Sequence, residues 1–212
     1  RRKRLERDTL VLFSSDNGPW YQGSPGRLRG RKGGTLEGGV RVPAIYNWPG
    51  KIKPIVVNEP IHHVDLMPTL LMLAGGHGNP EKPFDGKDIW GTVAEGKPSP
   101  HDDILINVEL FRGALRKGKW KLVKIALLPG KTELFDLEAD PAEKNNVAQK
   151  HPEVLKDLES RLIKYAAQQK MSEWLLAHQD YLGLQGQTVL DLEYNVDRGP
   201  ENETPNLPEA KR

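Results

Sequence analysis

The 212-residue sequence contains no cysteine, no long apolar run and no large excess of charge of either sign. The absence of cysteine excludes disulfide bridges, thiolate metal sites and a cysteine nucleophile within these residues. No apolar run approaches the roughly 20 residues that a membrane-spanning helix needs, so we expect no membrane span. The basic start, RRKRLER, lacks the apolar stretch of a signal peptide and assigns no compartment.

The charges nearly balance over the whole chain, with 31 Lys and Arg against 29 Asp and Glu, but they are unevenly distributed. Residues 1–60 carry 12 basic and 5 acidic side chains, an excess of 7 positive charges. A basic front could bind an anionic ligand, although a solvated surface is the more common explanation. Charge alone does not support a nucleic-acid partner, and we expect none.

The first part of the chain has the pattern of an α/β domain. Residues 9–13 form a continuous apolar run typical of a buried, parallel strand, and a glycine-rich loop extends from the following turn to Gly39. Residues 40–48 predict a second buried strand. The first residues begin without a helix cap, so we expect the chain to be part of a longer protein.

A short helix and a long connection follow. Asp65 predicts the N-cap of a helix that ends near Gly75. Residues 76–103 are rich in Gly, Pro and Asp, which predicts a surface connection without regular structure.

From residue 104 the pattern changes to short strands joined by turn signals, which predicts an antiparallel sheet. The predicted strands are 104–110, 113–116, 119–125 and 133–137. Residues 140–143 have the arrangement of a helix capping box. Leucines at three-to-four spacing predict a helix from Pro152 to about Gln169 that packs on the sheet. We therefore predict domains at 1–103 and 104–170, and an extended, partly disordered tail at 171–212.

Asp16 and Asn17 follow the first predicted strand, at the end of the strand where α/β sheets bind ligands. A carboxylate beside a carboxamide supplies hard oxygen ligands suited to Ca2+ or Mg2+. The alternative is an ordinary turn, because Asp-Asn-Gly is a common turn sequence and two ligands cannot complete a shell of six to eight.

Four cations lie in the glycine-rich loop, where small residues let the backbone approach a ligand; they are Arg27, Arg29, Arg31 and Lys32. A lysine here could meet a tetrahedral anion, but a solvated basic loop is the alternative and no phosphate-loop spacing is present. Ser24 lies in the same loop, yet the sequence orders no base beside it.

The adjacent His62 and His63 point to opposite sides of an extended segment, so both cannot easily bind one metal. We expect hydrogen-bonded structural histidines. The tryptophans are expected to pack in the core or its rim rather than form stacking platforms; those considered are Trp20, Trp90, Trp120 and Trp174.

Taken together, several motifs resemble the type I sulfatases, the arylsulfatase family of the alkaline-phosphatase superfamily. They are LVLFSSDNGP (10–19), LRGRKGGTLEGGVRVP (28–43), WPG (48–50), HVDLMPTLLMLAG (63–75), ALRKGKWKLV (114–123) and ELFDLEADP (133–141). The resemblance covers about residues 5–165, with the motifs in the family's order.

The resemblance implies the C-terminal part of an alkaline-phosphatase-like α/β sandwich plus a small antiparallel sheet-and-helix domain. By the same resemblance, Asp16 and Asn17 complete a Ca2+ site, with Mg2+ as the alternative metal. Lys32 would contact the sulfate as a substrate-binding and catalytic residue, and Glu37 would have a structural role in holding the loop. The substrate would be an aryl or carbohydrate sulfate ester. The family resemblance implies a periplasmic, secreted or lysosomal location.

The family's nucleophile, a formylglycine made from Cys or Ser in a C/S-x-P-x-R motif, is not in this sequence. We expect it upstream, together with an acidic pair that supplies the other metal ligands. The 212 residues alone are therefore predicted to be inactive. Two alternatives remain open: a phosphodiesterase or phosphonate hydrolase of the same superfamily, and a non-catalytic polyanion-binding module.

Overall fold

The computed structural model describes residues 5–109, 112–126 and 130–168. The chain divides into two compact units, Arg1–Ala166 and Ala167–Arg212, and the fold described below is that of the first unit. The predicted tail at 171–212 lies outside the described residues. The predicted domain boundary at residue 104 stays a prediction.

The first sheet has two strands, β1 (Val11–Ser14) and β2 (Ala44–Asn47), which pair antiparallel with Leu12 opposite Tyr46. The prediction of a buried, parallel strand is therefore wrong for β1. Its side chains alternate between exposed and half-buried, and that of Phe13 is 63% exposed. A continuous apolar run in the sequence does not show which side chains of the strand are covered by other described residues and which stay exposed.

The predicted second strand at 40–48 is shorter than expected. Its first residue belongs to a one-turn helix, α1 (Glu37–Val40), and β2 begins only after Pro43. Proline has no N–H group to donate to a strand partner, which accounts for the late start. This short helix ends the glycine-rich loop.

Helix α2 (Leu66–Leu73) confirms the helix predicted after Asp65, and Gly75 follows it with a left-handed φ of 78°. The Asp65 side chain does not cap α2, however. The predicted irregular connection also contains a helix, α3 (Trp90–Glu95), which ends at Gly96 with φ 72°. Six residues with two glycines nearby give too short a periodic signal to identify from sequence.

The second sheet confirms the predicted antiparallel strands. Its strands follow the chain order, each pairing with the next: β3 (Ile104–Glu109), β4 (Arg112–Lys117), β5 (Trp120–Ile125) and β6 (Lys131–Asp136). Helix α4 (Pro152–Gln168) lies on one face, where Leu158 and Leu162 pack against buried leucines of the three later strands. On the other face Ala114, Val123 and Phe135 form a second buried cluster. Both faces of this sheet are therefore covered.

The predicted capping box at 140–143 is wrong, because no helix begins there. The Asp140 carboxylate accepts hydrogen bonds from the backbone N–H groups of Lys144 and Asn145, both at 2.7 Å, in a turn. Glu143 has a left-handed φ of 54° and its side chain is buried. The Glu143 carboxylate accepts a hydrogen bond from the backbone N–H of Glu37, more than 100 positions earlier. This long-range contact replaces the local contact that a capping box needs.

Candidate functional site

Asp16 and Asn17 occupy the loop that follows β1. One Asp16 carboxylate oxygen accepts a hydrogen bond from the Asn17 N–H at 2.9 Å, and the Asp16 side chain is exposed. The Asn17 Oδ1 atom is buried and has no hydrogen-bond partner among the described residues. Leaving a buried acceptor unpaired costs about 1–3 kcal/mol. This orphaned oxygen, beside a carboxylate, fits the donor chemistry of a hard cation.

The glycine-rich loop is held against this turn by backbone hydrogen bonds. The Gly18 N–H donates to the Gly39 carbonyl at 2.8 Å, and the Lys32 N–H donates to the Pro19 carbonyl at 3.1 Å. A Cβ atom at Gly38 would lie 2.5 Å from the Arg29 carbonyl oxygen, so only glycine fits there. The structure thus brings Lys32, whose side chain is exposed, to the backbone that carries Asp16 and Asn17.

The four loop cations do not act as one basic patch. The Arg29 guanidinium lies 5.3 Å from the centre of the Phe135 ring and 3.6 Å from the Glu133 carboxylate. Arg31 bonds to backbone carbonyl groups, whereas Arg27 and Lys32 are exposed. The loop therefore presents fewer free cations than its sequence suggests.

A tight turn at residues 20–23 follows Pro19, and its Gly23 N–H donates to the Trp20 carbonyl at 3.1 Å. Arg31 Nη1 donates to the carbonyl groups of both Trp20, at 2.8 Å, and Gly23, at 2.6 Å. Trp20 is 54% exposed and the neighbouring Tyr21 is 74% exposed. The prediction that Trp20 packs in the core or its rim is therefore wrong, because the turn directs this ring outward.

Glu37, expected to hold the loop, is buried and paired with Lys121, whose Nζ atom donates to Glu37 Oε1 at 2.8 Å. The same Nζ atom lies 3.0 Å from Glu143 Oε1, and Glu143 Oε2 accepts a hydrogen bond of 2.5 Å from the Glu37 N–H. We call Glu37, Lys121 and Glu143 the buried ionic triad. It links the end of the glycine-rich loop to β5 and to the turn that follows β6.

The buried ionic triad places two carboxylates around one ammonium group. Glu37 Oε2 has no hydrogen-bond partner within the described part of the chain, and the nearest further cation, Arg41, is 3.8 Å from this oxygen. Burial raises the pKa of the Glu143 carboxyl, against the opposing effect of Lys121. The triad is therefore held by close contacts and is costly to disrupt.

The two adjacent histidines have structural hydrogen bonds, as expected. His62 Nδ1 accepts a bond from the Val64 N–H at 3.2 Å, and burial lowers the pKa of His62. His63 Nε2 lies 3.2 Å from Ser14 Oγ at the end of β1. These contacts join the segment before α2 to the first sheet.

Asp65 is a buried acceptor that the sequence did not identify as such. Its carboxylate accepts hydrogen bonds from the backbone N–H groups of His62, at 2.7 Å, and Lys87, at 2.9 Å. His101 Nε2 lies 2.9 Å from both carboxylate oxygens. This contact joins residues 36 positions apart, and no local pattern could have predicted it.

Other candidate chemistry finds little support in the described residues. Ser24 Oγ accepts a hydrogen bond from the Gly26 N–H and lies in an exposed loop. Across residues 5–109, 112–126 and 130–168, no group of three or more His, Cys, Asp or Glu side chains could hold a metal ion. Asp16 and Asn17 can thus form only part of a coordination shell. No helix in these ranges is long and apolar enough to span a membrane.

Comparison with known proteins identifies the family. The family model described as Sulfatase matches residues 1–76. Arylsulfatase J of Mus musculus is 31% identical over 208 residues, which cover 74% of this chain and 35% of that protein. The N-acetylgalactosamine-6-O-sulfatase of Bacteroides thetaiotaomicron is 30% identical over 186 residues, covering 74% of this chain and 36% of that protein.

A solved structure gives the same result for the fold. Ps i-CgsB in complex with k-i-k-neocarrahexaose superposes with a TM-score of 0.73 at 25% identity, covering 94% of this chain and 43% of that chain. This likeness confirms the predicted fold class, the C-terminal part of an alkaline-phosphatase-like α/β protein. The chain spans little more than a third of the length of the two curated relatives. By sequence and by fold, the chain belongs to the sulfatase family.

Proposed function

We propose that this chain is part of a sulfuric ester hydrolase and supplies half of the metal site and a sulfate-binding lysine. The observation that carries the proposal is the buried, unpaired Asn17 Oδ1 beside the Asp16 carboxylate. The hydrogen bond from the Lys32 backbone N–H to the Pro19 carbonyl supports it, because it joins the cationic residue to the turn that carries Asp16 and Asn17.

The roles follow from the chemistry of the side chains. Asp16 and Asn17 would give oxygens to Ca2+, or to Mg2+, which would supply positive charge facing the sulfate ester. Lys32 stabilises negative charge on the sulfuryl oxygens or on the departing alkoxide. Formylglycine, expected upstream, supplies the nucleophile when present. The substrate is an aryl or carbohydrate sulfate ester, and the expected compartment is periplasmic, lysosomal or extracellular.

The test compares Asp16→Ala and Lys32→Ala in the full-length protein, with the exposed Asp85→Ala and Lys51→Ala as controls. We expect Asp16→Ala to weaken Ca2+ binding and hydrolysis of 4-nitrophenyl sulfate together. Lys32→Ala should lower kcat by about 100-fold or more, in the range seen when a group that stabilises transition-state charge is removed. It should leave Ca2+ binding intact. Equal Ca2+ affinity in wild type and Asp16→Ala would remove Asp16 from the metal site.

The alternatives predict different results in the same experiment. A phosphodiesterase or phosphonate hydrolase would hydrolyse the matching phosphorus ester faster than the sulfate ester. A polyanion-binding module would bind sulfated glycans in a salt-sensitive manner, without a metal, and binding would survive Lys32→Ala. The 212-residue chain alone is expected to show no turnover, and turnover by a homogeneous sample would contradict that expectation.

A further inference from the structure

Two aromatic side chains lie side by side on the surface at the turn of residues 20–23. The ring centroids of Trp20 and Tyr21 are 4.9 Å apart, with an angle of 78° between the ring planes, an edge-to-face pair. Both rings are more than half exposed. Neither ring is used by the proposed metal and sulfate site. Adjacent exposed aromatic rings offer a large apolar surface at a low cost in conformational entropy.

The turn that carries this pair is held rigidly. Arg31 Nη1 binds the carbonyl groups at both ends of the turn, and the Arg31 guanidinium carbon lies 6.0 Å from the centre of the Tyr21 ring. A group that is already ordered loses little entropy when a ligand binds. Arg31 therefore holds the backbone that carries the two rings in position for contact with a ligand.

The position of the turn connects it to the proposed site. Trp20 follows Pro19, and the Pro19 carbonyl accepts the hydrogen bond from the Lys32 N–H. Arg31 and Lys32 are neighbours, so one residue holds the aromatic turn and the next supplies the cation for the sulfate. An ester bound through its sulfate at Lys32 must place its alcohol part close by, and the exposed rings of Trp20 and Tyr21 directly follow Pro19, which the Lys32 N–H contacts.

We propose that Trp20 and Tyr21, held by Arg31, bind a ring face of the alcohol part of the substrate, and that this ring is the pyranose of a sulfated carbohydrate. This inference rests on the proposed function, because it places the sulfate at Lys32. An aryl ring has the same flat face, but the turn is open rather than enclosed. A pyranose can stack its apolar C–H face on one ring and keep its hydroxyl groups in water. The likeness to a protein solved with k-i-k-neocarrahexaose supports this choice.

The test uses the full-length protein with three substrates: N-acetylgalactosamine 6-sulfate, 4-nitrophenyl sulfate and the ring-free ethyl sulfate. Trp20→Ala should lower kcat/KM for the sugar sulfate by about tenfold, chiefly through KM, because stacking on one aromatic ring contributes about that factor. Activity on ethyl sulfate should be unchanged. Trp20→Phe keeps an aromatic ring and should retain most of the activity that Trp20→Ala loses. Val56→Ala is the control for removing exposed apolar area, since Val56 is 89% exposed.

Arg31→Lys keeps the charge but loses the planar group that binds two carbonyl oxygens, so it should give a partial loss with the same substrate selectivity. An equal loss on all three esters would overturn the proposal, because it would assign Trp20 a general structural role. A loss confined to 4-nitrophenyl sulfate would overturn the choice of a sugar ring.

A binding measurement separates failure of this inference from failure of the proposed function. If the full-length protein hydrolyses none of the three esters, calorimetric titration with a carrageenan hexasaccharide decides the matter. If wild type binds the hexasaccharide and Trp20→Ala binds it about tenfold more weakly, the proposed role of the aromatic pair is supported even though the proposed hydrolase activity is not. Equal binding by both proteins, or binding by neither, would overturn the inference.

Discussion

Replacing Lys121 by Met should strongly destabilise the protein. Lys121 is fully buried on β5, and its ammonium group is the cation that lies between Glu37 and Glu143 in the buried ionic triad. Met has a similar length but no charge, so two carboxylates would remain buried with only Arg41 near one of them, at 3.8 Å. Breaking a buried ion pair by removing one partner costs about 3–5 kcal/mol, and we expect a loss in this range.

The free energy of unfolding is to be measured by urea denaturation, followed by tryptophan fluorescence at neutral pH. Lys124→Met is the matched control, since this lysine lies on the same strand but is more than a third exposed and pairs with Glu159 at 3.4 Å. A surface pair of this kind contributes about 0–1 kcal/mol. The two variants remove the same charge from the same strand and differ in burial.

A loss below about 1 kcal/mol for Lys121→Met, no greater than that of the control, would refute the reasoning. It would mean that water or a rearranged cation solvates the carboxylates. A triple variant provides a second check. Adding Glu37→Gln and Glu143→Gln to Lys121→Met removes the uncompensated charges and should recover part of the lost stability, because the penalty comes from the charges rather than from lost packing.

Two further predictions concern buried carboxylates. The pKa of Glu143 is raised by burial above its ordinary value of 4.5, so the stability of wild type relative to Glu143→Gln should be greatest below pH 4.5 and fall as the pH rises through the raised pKa. A difference that stays constant in urea denaturation from pH 4 to 8 would contradict this. Asp65→Asn should destabilise the protein by about 2–3 kcal/mol, because the amide turns a donor toward a backbone N–H group that needs an acceptor. The exposed Asp88→Asn should cost less than about 0.5 kcal/mol in the same assay, and equal losses for the two variants would remove the special role of Asp65.

The elements that were predicted correctly are those whose signal is local and periodic. Helix α4 has leucines at helical spacing, and its observed start at Pro152 was predicted. The strands of the second sheet are bounded by turn residues, such as Gly118 with φ 54°. The parallel orientation of β1 was wrong, because strand direction depends on a partner more than 30 residues away.

The candidate site divides in the same manner. Asp16, Asn17 and Lys32 could be singled out because each lies in a short motif, although their roles remain proposals. The partners of Glu37 could not be identified from the sequence, because Lys121 lies 84 residues away. In a strand, a lysine is ordinarily expected on the solvent-facing side. The sequence predicts a local capping box that includes Glu143, and only the fold reveals that its partners are Glu37 and Lys121.

This division has a physical origin in the glycine-rich loop itself. Its glycines allow close backbone approach, as at Gly38, but they supply no side chains that could pack and fix the loop. Order must then come from contacts made elsewhere, and the buried ionic triad provides it by tying Glu37 to β5. An ion pair suits this position better than an apolar contact, because its hydrogen bonds fix orientation as well as distance. Under the proposed function this loop presents Lys32 to the sulfate, and its order depends on Lys121 and Glu143, which are distant in sequence and absent from the motif that identifies the loop.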